Sequence, residues 1–171
     1  DRGTAFLMHE KDIWNYDQRI DRTTRLASSM MSQSWMGSDF TNDDLVRESD
    51  ILEDYTYAVE GEEMLSGELA CRIEMIPKPD APVVWGKVLL WVSAEGAYQL
   101  RVENYDQRGE LAFIMELDDI RELGGRTIPT RFTMRPAGKE GEFTEMTYRE
   151  LQFDVDLDDS FFRRSNMERL Q

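Results

Sequence analysis

Reactive side chains are scarce in this chain: of 171 residues, one is cysteine and one is histidine. A single cysteine, Cys71, excludes an intrachain disulfide and any zinc site built on cysteines, and it is silent about compartment. His9 stands between two strand-like runs, where a solvated turn residue is expected. Any Ser/His/Asp or Cys/His machinery would have to use it, and no Gly-x-Ser-x-Gly elbow supplies a nucleophile. Long hydrophobic runs are missing too, since the stretch Val88 to Val92 is far too short to span a bilayer. No glycine-rich phosphate loop occurs; Gly124-Gly125 before Arg126 and Pro129 reads as a turn entering a strand. Basic residues are few, 20 against 35 acidic, for a net charge of −15. Such a chain is repelled by nucleic acid and by anionic lipid surfaces. Its basic stretches, Arg19 to Arg25 and Arg163-Arg164, are short and flanked by acids. These absences predict no enzyme, no cofactor, no metal, no nucleic-acid partner and no integral membrane segment.

Acidic clusters invite a cation reading, but each has a plainer one. Residues 154–159 have the alternating acids of a calcium loop, yet Asp159 stands where its glycine belongs and Ser165 where its glutamate belongs. A strand with acids outward is the expectation there. Asp39, Asp43, Asp44, Glu48 and Asp50 are explained mostly by helix capping.

What the chain does have is strand alternation and turn chemistry. Thr4 to Met8 and Asp12 to Tyr16 read as a hairpin, with Arg25 to Met31 as a third strand. A long Ser/Met/Trp-rich loop follows, with a short helix predicted at 41–48. Strands are then predicted at 55–62, 68–76, 83–92, 98–105, 111–117, 127–135 and 143–155, with turns at 77–80, 94–97, 106–109, 124–125 and 137–141. A helical segment capped near Asp158 closes the chain. The fold class is therefore mainly β with few helices: an antiparallel meander in one domain covering 1–171.

Alternation also assigns faces. Leu69, Cys71, Ile73 and Met75 share one side of their strand; Leu100 and Val102, and then Phe113, Met115 and Leu117, do the same on theirs. Val83 to Val92 is apolar on both sides and predicts a covered strand. The segment Asn-Tyr-Asp-Gln-Arg recurs at 15–19 and 104–108 with unmatched flanks, which reads as reused strand-end chemistry. Ten methionines and eighteen aromatics are present, and Met30, Met31, Trp35, Met36 and Phe40 crowd one otherwise polar loop. Methionine suits surfaces that accept variable apolar shapes, so this loop reads equally as a core plug or a ligand gate.

The segment Ser34 to Leu45, with Gly3 to Leu7, Ile13 to Tyr16, Arg25 to Ser28, Trp91, Glu103 to Asp106 and Ile128-Pro129, resembles the outer membrane lipoprotein-sorting protein family, relatives of the LolA/LolB carriers. The resemblance covers nearly the whole chain. It implies an unclosed β-barrel around an apolar cavity, a periplasmic location, and lipoprotein acyl chains or other lipids as ligands. It also implies a further N-terminal stretch ahead of Gly3 that supplies a helix and first strands. No signal-peptide pattern opens the chain at Asp1, which is read either as cytoplasmic or as lacking a removed export signal. The expected ligand-binding residues are Trp35, Met36 and Phe40 in the gate and Leu100, Val102, Phe113, Met115, Phe132 and Met134 on the sheet. The expected function is a non-catalytic carrier or chaperone. The alternatives are an accessory interaction subunit docking on an envelope export transporter and, third, a lipid or glycan hydrolase.

Overall fold

The computed structural model describes residues 4–9, 12–27, 30, 33–35, 37–40, 42, 51–79, 81, 83–167 and 169. The chain divides into two compact units, 1–48 with 154–171, and 49–153. Both are built on open antiparallel sheets.

In the first unit β1 (Thr4–His9), β2 (Asp12–Asp17) and β3 (Arg22–Arg25) form a meander. The hairpin expected at the N-terminus is there, with Met8 opposite Ile13 and His9 opposite Asp12. The third strand is not where alternation put it. It lies at 22–25, tied by a turn in which Asp21 adopts a left-handed φ of 48° and accepts the Tyr16 hydroxyl hydrogen at 3.0 Å. Ile13, Tyr16 and Met167 are buried here. The C-terminal segment is helical as expected: a 3-10 turn at Asp159–Phe162, capped by Asp158 accepting from Ser160 N–H, leads into α2 (Arg164–Met167). Arg164 lies 4.4 Å from the centroid of the Trp14 ring. The strand expected through 154–158 does not form, and Asp154 takes a φ of 55° that no strand accommodates. The helix expected at 41–48 lies almost wholly outside the described residues. Asn42 is buried, its side-chain amide donating to Met30 O at 2.9 Å.

The second unit opens with the one-turn helix α1 (Ile51–Asp54). Seven strands follow: β4 (Tyr55–Leu65), β5 (Glu68–Pro77), β6 (Lys87–Ser93), β7 (Gln99–Tyr105), β8 (Leu111–Leu123), β9 (Arg126–Pro136) and β10 (Thr144–Thr147). Each pairs with its sequence neighbour, giving the order β10-β9-β8-β7-β6-β5-β4. Short connections explain most of this, because the two-to-five-residue loops after β4, β6, β7 and β8 join only antiparallel neighbours, while nine residues link β5 to β6 and seven link β9 to β10. The strand expected from residue 83 begins only at Lys87, and 83–86 are not strand, yet Val83 and Trp85 still pack on the core. Strand β6 is covered on both faces as its sequence requires, with Val88 and Trp91 each 6% exposed. Phe143 to Val155 yields only the short β10; the chain then leaves the sheet after Tyr148 N–H bonds Thr130 O at 2.8 Å.

The repeated Asn-Tyr-Asp-Gln-Arg segment has the same job twice. Asp17 closes β2 and Asp106 directly follows β7, and each accepts the backbone N–H of the arginine two residues on, at 2.9 and 2.8 Å. Each also pairs with that arginine's side chain.

Candidate functional site

Register, read strand by strand, places one apolar row across the second unit. Val59 faces Ile73, Ile73 faces Leu90, Leu90 faces Val102, Val102 faces Met115, Met115 faces Met134 and Met134 faces Thr144. Directly opposed residues share a face, so seven strands contribute to one side. Flanking rows add Tyr57, Met75, Val88, Asn104 and Phe113 on one side of it and Leu117 with Phe132 on the other.

Five of the expected sheet residues, Val102, Phe113, Met115, Phe132 and Met134, therefore stand on one face in adjacent rows. Met134 is buried at 3% exposure while the other four are half-buried. Aromatic contacts frame them: Trp85 meets Phe113 edge-on at 5.3 Å, and Tyr148 meets Phe132 edge-on at 5.0 Å. Neither Trp85 nor Tyr148 was among the expected ligand-binding residues, although both fall within strands expected from the sequence, at 83–92 and 143–155. Tyr55, Met75 and Val88 form the buried cluster against which Val102 packs.

Leu100 belongs elsewhere. The β6–β7 ladder slips between Trp91 and Val92: Trp91 faces Arg101 but Val92 faces Gln99, which leaves Leu100 as an extra residue. It is 3% exposed in a cluster with Ala70 and Trp91, apart from the Val102 cluster.

The expected gate residues lie in the first unit. Trp35 packs edge-on against Phe6 at 6.1 Å, and its backbone N–H bonds Phe40 O at 2.7 Å. The Trp35 indole nitrogen is buried and has no acceptor among the described residues. Met36 lies outside the described residues.

The opposite face of the seven-stranded sheet carries the charges. Arg72 pairs with Glu60 at 2.9 Å, Arg101 with Glu103, Arg131 with Asp118 at 2.6 Å, and Arg135 with Glu116. Glu103 is only 9% exposed and accepts from the Tyr105 hydroxyl at 2.6 Å, a bond that leads in pushing the phenol up to about 12. Among the described residues no group of three His, Cys, Asp or Glu side chains is gathered closely enough to hold a metal ion, and no helix is long and apolar enough to cross a membrane.

Solved structures share this architecture. A DUF1329 family protein from Desulfovibrio piger superposes with a TM-score of 0.83 at 26% identity, over 96% of this chain and 71% of that one. A putative outer membrane lipoprotein-sorting protein domain from Vibrio parahaemolyticus gives 0.79 at 24% identity, over 97% and 72%. A LolA superfamily protein from Nitrosomonas europaea gives 0.71 at 26% identity, over 96% and 71%. No curated protein matches the chain. A family model described as that of an uncharacterized protein matches residues 1–169. The chain belongs to that family, and it carries the LolA-like lipoprotein-sorting fold.

Proposed function

We propose that this protein is a periplasmic, non-catalytic carrier or chaperone that takes lipoprotein acyl chains, or other lipids, against the apolar face of its seven-stranded sheet. The observation that carries this reading is the row Val102–Met115–Met134 with Phe113 and Phe132 beside it, four of the five side chains only half-buried. An acyl chain laid on such a face leaves water and gains about 0.8 kcal/mol per buried CH₂. Methionine and aromatic side chains adapt to chains of differing length and unsaturation. The Trp35 to Phe40 loop is the proposed gate, with Met36 among its apolar side chains. The fold shared with the lipoprotein-sorting domain and the LolA superfamily protein supports the same conclusion. No bond is made or broken in this mechanism, so it needs no catalytic residue and no cofactor.

The decisive experiment pairs lipid extraction and native mass spectrometry with titration of a fluorescent acyl-chain probe. Wild type is expected to bind saturably. Phe113→Glu and Met115→Glu, each of which sets a carboxylate in the path of the chain, are expected to bind about tenfold more weakly or worse. Equal binding by wild type and both variants sinks the assignment.

The accessory-subunit reading rests on a different observation. Val59 and Met64 on β4, the terminal strand, are 71% and 66% exposed. An apo mass unchanged by lipids or lipopeptides, with capture of an export transporter that Val59→Asp abolishes, would favour it.

A further inference from the structure

The charged face of the seven-stranded sheet holds an organised depression of about 430 Å³, formed by β4 to β7. That volume falls within the range of small-molecule sites, about 300–1,000 Å³. Its plan follows from register. One row reads Gly61, Arg72, Trp91, Arg101 across four strands, so two guanidinium groups flank one indole. The neighbouring row sets Leu89 opposite Glu103. Two residues along a strand separate the rows, about 7 Å.

The floor is unusual for a wet face. Trp91 is 6% exposed, and its indole N–H donates to Glu63 Oε1 at 2.6 Å. Arg101 lies 5.5 Å from the centroid of the Trp91 ring while its Nε donates to Glu103 at 2.8 Å. Gly61 contributes no side chain, and a Cβ placed there would meet nothing within 4 Å, so the Arg72 end of the row is open. Arg72 Nε is 2.9 Å from Glu60 yet makes no well-directed hydrogen bond, and that buried donor is left over.

The lining charges cancel: Arg72 and Arg101 against Glu63 and Glu103. A bare anion would meet two carboxylates, and a bare cation two guanidinium groups. These groups already pair, Arg101 with Glu103 and Arg72 3.6 Å from Glu63, and a ligand carrying both signs is the one that can exchange with such pairs without stranding either charge. Guanidinium forks match phosphate oxygens, and a carboxylate backed by aromatic faces suits an ammonium. We propose that this depression is a second ligand site, separate from the apolar face, for a zwitterion of the aminoalkyl-phosphate kind. Its phosphate sits over the Arg72–Trp91–Arg101 row and its ammonium beside Glu103 and Tyr105. Such a group exists both as a free metabolite and as a lipid headgroup.

The test follows the indole N–H resonance of Trp91, assigned by its loss in Trp91→Phe, during titration of the whole protein. O-phosphoethanolamine is expected to shift it saturably, while inorganic phosphate and ethanolamine are not. Arg72→Gln and Arg101→Gln are each expected to weaken binding about tenfold or more. Glu103→Gln, nearly isosteric with the native side chain, removes the charge that faces the ammonium and is expected to weaken binding likewise even where an arginine variant fails to fold. A shift with vesicles containing phosphatidylethanolamine, absent with the free compound, assigns the lipid-borne headgroup; an equal shift with the free compound assigns the soluble one. No shift with either, or an equal shift with inorganic phosphate alone, overturns the proposal.

Discussion

The indole N–H of Trp91 reaches across β5 to donate to Glu63 on β4, at 2.6 Å. Trp91 is buried, so this donor has left water and depends on the carboxylate. Glu63→Ala is expected to cost about 1–3 kcal/mol, the penalty of an unsatisfied buried donor. Glu63→Gln keeps an acceptor and is expected to lose less. Urea unfolding followed by circular dichroism measures both.

Met134 and Val59 lie in the same register row but differ in burial, 3% against 71% exposed. Met134→Ala is expected to destabilise by about 2–5 kcal/mol, whereas Val59→Ala, with little surface to lose, should change stability by no more than about 0.5 kcal/mol. Equal effects would mean that the row is no better packed at β9 than at its β4 margin.

Gly124 and Gly138 both hold left-handed φ, 61° and 75°, but only one is crowded. A Cβ at Gly124 would stand 2.6 Å from Leu151 O, where the returning chain crosses the β8–β9 turn; at Gly138 it would meet nothing within 4 Å. Gly138→Ala is expected to cost about 1 kcal/mol of backbone strain. Gly124→Ala adds a collision with main chain and should cost clearly more. Thermal melts of the pair separate conformational strain from crowding.

Tyr105 gives a pH signature. Its hydroxyl hydrogen bond to Glu103 comes first, then burial, in raising the phenol from 10.0 to about 12. A folded pKa above the unfolded one favours the neutral phenol in the native state. The associated stability is complete below pH 10 and is lost as pH rises through about 12. Ultraviolet titration should show a late-ionising tyrosine that disappears in Tyr105→Phe and ionises earlier in Glu103→Gln.

Much of this architecture was legible because alternation and turn chemistry act locally. Phe113 and Met115 announce their common face within five residues, and Pro77 to Asp80 and Gly124-Gly125 mark turns without any partner strand. What escaped depends on a second strand. The slip that turns Leu100 toward Ala70 and Trp91 exists only in the β6–β7 ladder. β8 runs on to Leu123, beyond the expected end at Leu117, because Ile120 and Leu123 pair with Pro129 and Arg126 while the intervening acids read as loop. The arginine–tryptophan row was invisible for the same reason: Arg72, Trp91 and Arg101 are ten or more residues apart and meet only through register. Each arginine looked like one more charge on a wet face, and Trp91 like one side of a covered strand.

The strictly sequential order of the seven-stranded sheet governs how it is made. No strand of that sheet waits for a distant segment to arrive, so each new hairpin closes a short loop on the edge of the one before it. Loop closure is then paid in small instalments, and contacts close in sequence are the ones that assemble quickly. The β8–β9 and β4–β5 hairpins have the longest ladders, ten pairs each, across the two-residue turns Gly124-Gly125 and Ser66-Gly67, which makes them the natural places for that zipper to start. From either one the sheet grows along the polypeptide, as one continuous reel, and the apolar row is complete only when all seven strands are laid down.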